Sequence, residues 1–300
     1  MAKDILFVKA VREMKNNFKS YISVILIATL AVTLFTGIWA NYMNFNDRLI
    51  HIYEESNMCD GIVMTNNYNE DIENYLINSN TYYEKRIYIP AKTNNDSIYL
   101  ASFEDTDTLN RPYEVSTALG DESMIFSDEN FLKRNNLAIG DELTIQIANL
   151  VEIKLKISGT MVRPESLENS DYNPAFIYVG YSTVRDAIVE SINLPIFTPE
   201  ACDQILKTYY NQFLIKDNES IIDDINKKFT DDIIYSLRRS DLPSNMAVDA
   251  DVNQAKMLIY IFPVIFYLVA ILIILTSISQ LINKDEEIRF IILHYINDLF

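Results

Sequence analysis

Two stretches of this chain, one between Lys19 and Asp47 and one between Lys256 and Lys284, each hold 27 consecutive residues without a charged side chain. Both are dense in Ile, Leu, Val and Phe. A helix needs about 20 apolar residues to cross the hydrocarbon core of a bilayer. Helices in soluble cores rarely run that long without a charge, because part of their surface faces water. The first stretch also outlasts the roughly 7–15 residue core of a secretion signal, and no small-residue cleavage site closes it. Both therefore read as retained membrane spans, over residues 20–43 and 257–283.

Lysine and arginine set the direction of insertion. Lys3, Lys9, Arg12, Lys15 and Lys19 precede the first span, whereas the twenty residues after it contain only Arg48. Basic residues favour the cytoplasmic side. The expectation is a cytoplasmic segment 1–19, an extracytoplasmic region 44–255 and a cytoplasmic tail 284–300 in the cell membrane. Trp39, Tyr42 and Tyr260 suit an aromatic belt at the outer interface. Ile5, Val8 and Val11 recur about a turn apart among basic residues, which predicts an amphipathic helix over 2–18 on the inner leaflet lipid. Thr29, Thr33 and Gly37, four residues apart, form a small-residue stripe that reads equally as a helix-packing face or as ordinary span composition.

Residues 43–255 carry 17 of the 25 Lys and Arg and 36 of the 42 Asp and Glu, a formal charge of −19. Such a surface excludes nucleic acid as a partner. No G-x-x-x-x-G-K-[ST] or G-x-G-x-x-G pattern is present, and no G-x-S-x-G surrounds a serine. His51 and His294 fall on opposite sides of the membrane in this topology, so they form neither a shared metal site nor a proton relay. The acids of "EDTDTLN" (104–110) lack the glycine and closing glutamate of a calcium loop. No charge lies inside either span, which gives no support to an ion path. The expectation is therefore a chain that is not an enzyme, with no catalytic residue, cofactor or metal. Two cysteines, Cys59 and Cys202, fall in the outer region, where a disulfide between them would persist; sequence leaves both the paired and the unpaired state open.

The outer region reads as a mixture of helices and strands. "FNDRLIHIYEESN" keeps helical spacing and extends span one as a stalk. "DGIVMT" reads as a strand, "NEDIENYLINS" as a helix, and "KRIYIPAK" and "SIYLASFE" as two strands before a loop at Pro112. Ser127 is placed to cap a short helix through Leu132, and Gly140-Asp141 gives a turn. Leu143, Ile145 and Ile147, then Ile153, Leu155 and Ile157, alternate with polar residues as half-buried strands do. After a polar loop at 164–174, "AFIYVG" and "NQFLIK" are strands, each followed by a helix. From about Asp249 a helix runs into span two through Pro263. The fold class is an α+β membrane protein: two transmembrane helices flanking a mixed α+β extracytoplasmic domain.

Four segments together resemble the FtsX/MacB-type ABC transporter permeases, in particular the large permeases of low-GC Gram-positive bacteria. "VREMKNNFKSYISVILIATLAVTLFTGIWAN" is similar to that family's basic helix and first span, and "MCDGIVMTNNYNEDIENYL" to the strand and helix that follow. "MIFSDENFLKRNNLAIGDELTI" resembles its outer-domain helix, Gly-Asp turn and strand. "FPVIFYLVAILIILTSISQLINKDEEIRF" resembles its second span and the start of the cytoplasmic segment. These matches cover about a third of the chain in the family's order, and residues 160–250 match only loosely. The resemblance implies a permease subunit that carries ATP-driven motion to its outer domain. It also implies two partners, a separate cytoplasmic ATPase and a second permease copy or companion subunit.

In the family a coupling helix after span two meets the ATPase, and Glu287, Ile288 and Arg289 occupy the corresponding position here. "EIRFIILHYINDLF" departs from the family's glycine-containing continuation. The sequence stops 16 residues past Lys284, without a third or fourth span, which is expected of a fragment, a truncated product or half of a split permease. The alternative is a two-span receptor or anchored extracytoplasmic binding protein, although 16 residues hold no kinase and no signalling coil.

Overall fold

The computed structural model describes residue 15 and residues 18–94, 96–117, 125–148, 151–165 and 175–297. The expected amphipathic helix over 2–18 lies outside the described residues except at Lys15 and Phe18, as does most of the polar loop at 164–174. The chain divides into two compact units, one of residues 1–47 with 251–300 and one of residues 48–250.

Helix α1 (Phe18–Glu55) and helix α7 (Pro243–Asn297) contain the two uncharged stretches. Each is long and apolar enough to cross a membrane, and almost none of the apolar surface is covered by protein. Leu26 and Leu30 on α1, and Val264 and Leu272 on α7, are all more than half exposed. The hydroxyl groups in these helices turn inward: Thr33 donates to the Thr29 carbonyl (2.8 Å) and Thr276 to the Leu272 carbonyl (3.0 Å). Polar groups satisfied within their own helix are what an apolar medium requires. Helix α7 continues through Pro263.

The second unit holds two sheets. The smaller is antiparallel and contains β1 (Gly61–Thr65), β2 (Tyr82–Arg86), β11 (Gln212–Lys216) and β12 (Ile233–Arg238), in the order β12-β1-β11-β2. Helices α2 (Glu70–Asn78) and α6 (Ile221–Lys228) supply Ile72, Leu76, Ile222 and Ile225 to a core with Val63, Phe213 and Ile215. In α6 these residues recur three or four apart, so one face is apolar while Asp223, Asp224, Lys227 and Lys228 lie elsewhere on the helix.

The larger sheet contains β3 (Tyr88–Lys92), β4 (Ser97–Phe103), β5 (Tyr113–Thr117), β6 (Ile125–Ser127), β7 (Glu142–Ile147), β8 (Val151–Lys156), β9 (Gly159–Val162) and β10 (Ala175–Gly180). Their order is β5-β9-β6-β10-β4-β3-β7-β8, with β10 parallel to β4 and β6 parallel to β9. Strand β10 is buried on both faces. Ile177 and Val179 enter an aliphatic core with Leu100, Ile145, Ile153 and Phe131 of α3 (Glu129–Asn135), while Phe176 and Tyr178 enter a second cluster with Ala101 and Met161. The alternation follows from the two-residue period of a strand. Helices α4 (Tyr181–Ile192) and α5 (Pro199–Leu206) complete the unit.

Three expectations need correction. "KRIYIPAK" is not one strand: β2 ends at Arg86 and β3 starts at Tyr88, in different sheets. Ile87 is the crossing point, its N–H donating to Ser102 Oγ (3.0 Å) and its carbonyl accepting from Ser102 N–H (2.9 Å). The α3 cap is Asp128, whose carboxylate accepts from Phe131 N–H at 2.7 Å, because Ser127 is the last residue of β6 and is buried. The helix that leads into span two starts at Pro243, six residues before Asp249.

Candidate functional site

Within the second unit, which includes the end of α1 from Arg48 and the start of α7 as far as Ala250, these helix ends form a small polar joint. Leu49 and Ile52 bury the last turns of α1, and Asn57, with φ of 45°, ends the helix in the left-handed region that asparagine tolerates. The Tyr53 hydroxyl donates to Asn245 Oδ1 near the start of α7 (3.1 Å), and Asn245 Nδ2 donates to the Arg239 carbonyl (2.7 Å). The Arg239 guanidinium lies 5.6 Å from the Tyr53 ring centre, and its Nη1 lies 3.2 Å from Asp60 Oδ1. Met58, Cys59, Ile62, Leu214 and Leu242 form the apolar packing of this region. Burial raises the Tyr53 phenol pKa, Asp249 adds to the rise and Arg239 opposes it.

Behind the joint lies a buried polar network centred on Arg86, which is only 2% exposed. Its Nε donates to Gln212 Oε1 (2.5 Å), Nη1 to the Tyr178 hydroxyl (2.7 Å) and Nη2 to Glu165 Oε1 (2.5 Å). One guanidinium thereby ties β2 and β11 of the small sheet to β10 of the large one. Burial alone would lower the Arg86 pKa, but Glu165 and Tyr178 raise it further than burial lowers it, so the group stays charged. Asn110 extends the network: its Nδ2 donates to Glu165, its carbonyl accepts from the Tyr178 hydroxyl (3.0 Å) and its Oδ1 accepts from Cys59 N–H (2.7 Å). Asn110 N–H and Arg111 N–H then donate to the carbonyls of Asn57 and Ser56 just past α1. A continuous set of hydrogen bonds therefore links the end of α1 to the middle of both sheets.

The loop from Glu104 to Arg111 also forms one wall of a cleft of about 720 Å³, whose other walls come from β2 and the segment 204–210. Glu84 holds the loop in place, accepting from Thr108 N–H (2.7 Å), Thr108 Oγ1 (2.8 Å) and Leu109 N–H (2.8 Å). Asp107 accepts from Glu104 N–H (2.7 Å), and Glu104 from the Tyr210 hydroxyl (2.5 Å). Burial pushes the Asp107 carboxyl up to about 6; Glu84 and Glu104 add to the rise, while the Glu104 N–H and Arg86 oppose it. Among the described residues, no group of three His, Cys, Asp or Glu side chains is arranged to hold a metal ion.

Of the residues singled out from sequence, Cys59 packs at the joint and the acids of 104–110 line the cleft, while the others lie elsewhere. Thr29, Thr33 and Gly37 are exposed along α1, and a Cβ on Gly37 would meet nothing within 4 Å. Cys59 and Cys202 are free, buried thiols. They belong to different apolar clusters, Cys59 beside Met58 and Leu242, and Cys202 on α5 beside Ile87 and Leu206, and this separation is why they do not pair. Burial pushes the Cys59 thiol up to about 12 and raises that of Cys202. Glu287, Ile288 and Arg289 lie within α7, which runs without a break to Asn297.

Sequence reasoning missed Arg86, Asn110 and Glu165. The one available signal was a cationic residue beside the apolar run that begins at Ile87; Glu165 sits in a polar stretch where nothing marks it as buried. No family model matches the chain, and no curated protein matches it.

Proposed function

We propose that this chain is a two-span membrane protein with both ends in the cytoplasm and residues 44–255 outside. We infer that it acts as a permease subunit of an ABC transporter, passing motion driven by ATP hydrolysis on a separate chain to its outer domain for export or mechanical work. The observation that carries the reading is continuity: α1 and α7 each run unbroken from the apolar stretch to the polar joint at Tyr53 and Asn245. A shift or rotation of either helix would be felt at Arg239, Asp60 and, through Asn110, at Arg86. The acidic surface of residues 43–255 suits exposure to solvent rather than to nucleic acid. In this reading Glu287, Ile288 and Arg289 meet the ATPase, and a second permease subunit completes the transporter.

The test combines labelling with purification. A membrane-impermeant maleimide is expected to label Glu190→Cys on intact cells, and Glu286→Cys only after lysis, because both positions are exposed on the protein. Deleting residues 285–300 is expected to abolish co-purification with an ATPase while membrane insertion persists. Labelling at position 190 that waits for lysis would overturn the topology. An ATPase that still co-purifies after the deletion would overturn the role of the tail, and a kinase in its place would favour a receptor.

A further inference from the structure

Strand β12 forms one edge of the small sheet, and its sequence is unlike that of the other sheet edges. An open edge is a template for another strand, and proteins usually blunt it with charge, irregular pairing or a covering segment. Strand β2, at the opposite edge of the small sheet, holds the loop 104–111 through Glu84. In the large sheet, β8 carries Glu152, Lys154 and Lys156, and the pairing of β5 with β9 is interrupted across most of the strand. From Ile233 to Leu237, β12 bears no charge, and Ile234 is 54% exposed. Its backbone is open along the same edge. Arg239 N–H donates to the Asp60 carbonyl (2.9 Å), so the alternation of an antiparallel ladder turns Leu237 and Tyr235 toward β1 and leaves the polar backbone groups of Arg238 and Ser236 facing outward. The register shift against β1 falls at Ile234, and the ladder is regular from Tyr235 to Arg238. Among the described residues no further strand pairs with β12.

The flanking charges indicate what covers this edge. Residues 231–239 read DDIIYSLRR, with two acids before the apolar run, two bases after it and Tyr235 at the centre. Laid antiparallel against a copy of itself, such a segment sets acids against bases at both ends. Asp231 and Asp232 are exposed and make no ion pair among the described residues. Arg238 pairs with Asp223 and Arg239 with Asp60, yet their side chains remain 36% and 39% exposed. A guanidinium has donors enough for a second carboxylate. Residues 43–255 are strongly acidic overall, so two copies repel in most orientations and a local match of this kind favours one of them. Backbone and charge also select the same register. Setting Ser236 opposite Ile234 places outward-facing backbone against its like, and it brings Asp232 opposite Arg238.

We propose that two copies of this chain pair edge to edge through β12, antiparallel about Tyr235, with Asp232 of each copy against the partner's Arg238 and Asp231 against the partner's Arg239. The two small sheets become one continuous sheet. The Ile234 side chains of the two copies, diagonal neighbours across the pair, lie about 7–8 Å apart on one face and cover each other. The pairing goes beyond the transport reading and does not depend on it, because β12 and its flanking charges lie wholly within residues 48–250.

Cross-linking of the full chain in membranes with a short, membrane-permeant bismaleimide tests the pairing, whichever side of the membrane the domain occupies. Ile234→Cys is expected to give at least tenfold more product of twice the chain's mass than Glu190→Cys, an exposed position on α4. The native thiols Cys59 and Cys202 are buried and should not react. In the Ile234→Cys background, Asp232→Arg should cut the yield at least fivefold, and so should Arg238→Asp. Co-expression of those two variants should restore it, because each copy then supplies the charge that the other has lost. A yield from Ile234→Cys no higher than from Glu190→Cys, or a product whose mass is not that of two chains, overturns the proposal. A mixed pair that fails to recover with both chains present in the membrane overturns it too. So does an Asp232→Arg variant that cross-links like its parent, and this reading holds even where Arg238→Asp, which also strands Asp223, is unstable.

Discussion

Asp107 shows how one side chain reports on its surroundings. Its folded-state pKa of about 6 exceeds the usual carboxylate value, so the folded chain holds this proton more tightly than the unfolded one. Its contribution to stability is therefore present at low pH and lost as the pH rises through about 6. Asp107→Asn keeps an acceptor for the Glu104 N–H and removes the charge. At pH 7.5 the variant is expected to be more stable than the parent by about 1 kcal/mol, a figure discounted for the partial exposure of the group. The difference should close as the pH falls toward 4, which thermal melts across that interval would read. A variant less stable than the parent at pH 7.5 would mean that the charge is useful where it sits. Glu104 and Glu84 differ from Asp107 in what surrounds them: Glu84 alone gathers two backbone donors and two hydroxyls, those of Thr108 and Tyr82, and so serves to hold the loop.

Among the elements, β9 is closely constrained by its neighbours. A Cβ on Gly159 would lie 2.3 Å from the Ser116 carbonyl of β5, a backbone atom that cannot step aside without breaking the pairing of the two strands. At Gly61 the nearest atom would be Ile222 Cδ1, the far end of a side chain. Gly159→Ala is therefore expected to destabilise the protein by about 2 kcal/mol and Gly61→Ala by about 1 kcal/mol. Chemical unfolding of the detergent-solubilised variants would rank them, and the opposite order would show that Ile222 is the less yielding neighbour. What was legible in the sequence at this scale was whatever is local. The two apolar helices, the Gly140 turn and the alternation that makes β7 and β8 follow from residues adjacent in the chain. The break between β2 and β3 did not, because the change of sheet at Ile87 is decided by partners far away, Ser102 among them. The cap of α3 was missed by one residue, since Ser127 and Asp128 are both good caps and only the end of β6 decides between them. Arg86 and Glu165 lie 79 positions apart, and no periodicity connects them.

At the scale of the whole molecule, the Arg86 network is a buried polar tie between the two sheets. Arg86→Met would leave Glu165 with its donors reduced in a site where its side chain is only 7% exposed. Removing one partner of a buried ion pair typically costs about 3–5 kcal/mol, a large share of the roughly 5–15 kcal/mol that holds a domain folded. Arg86→Met is expected to lower the melting temperature sharply, and adding Glu165→Gln should restore part of the loss by removing the stranded charge. If the double variant melts no higher than the single one, the hydrogen bonds to Gln212 and Tyr178 matter more than the charge pair. The two thiols bear on the same question from another side. Cys59 and Cys202 are both buried, both weak acids and held in separate clusters, so neither offers a thiolate to an oxidant. The sheet unit therefore owes its cohesion to packing, hydrogen bonds and ion pairs rather than to a disulfide between these thiols, and should fold alike under reducing and oxidising conditions, indifferent to the redox state of whichever compartment it occupies.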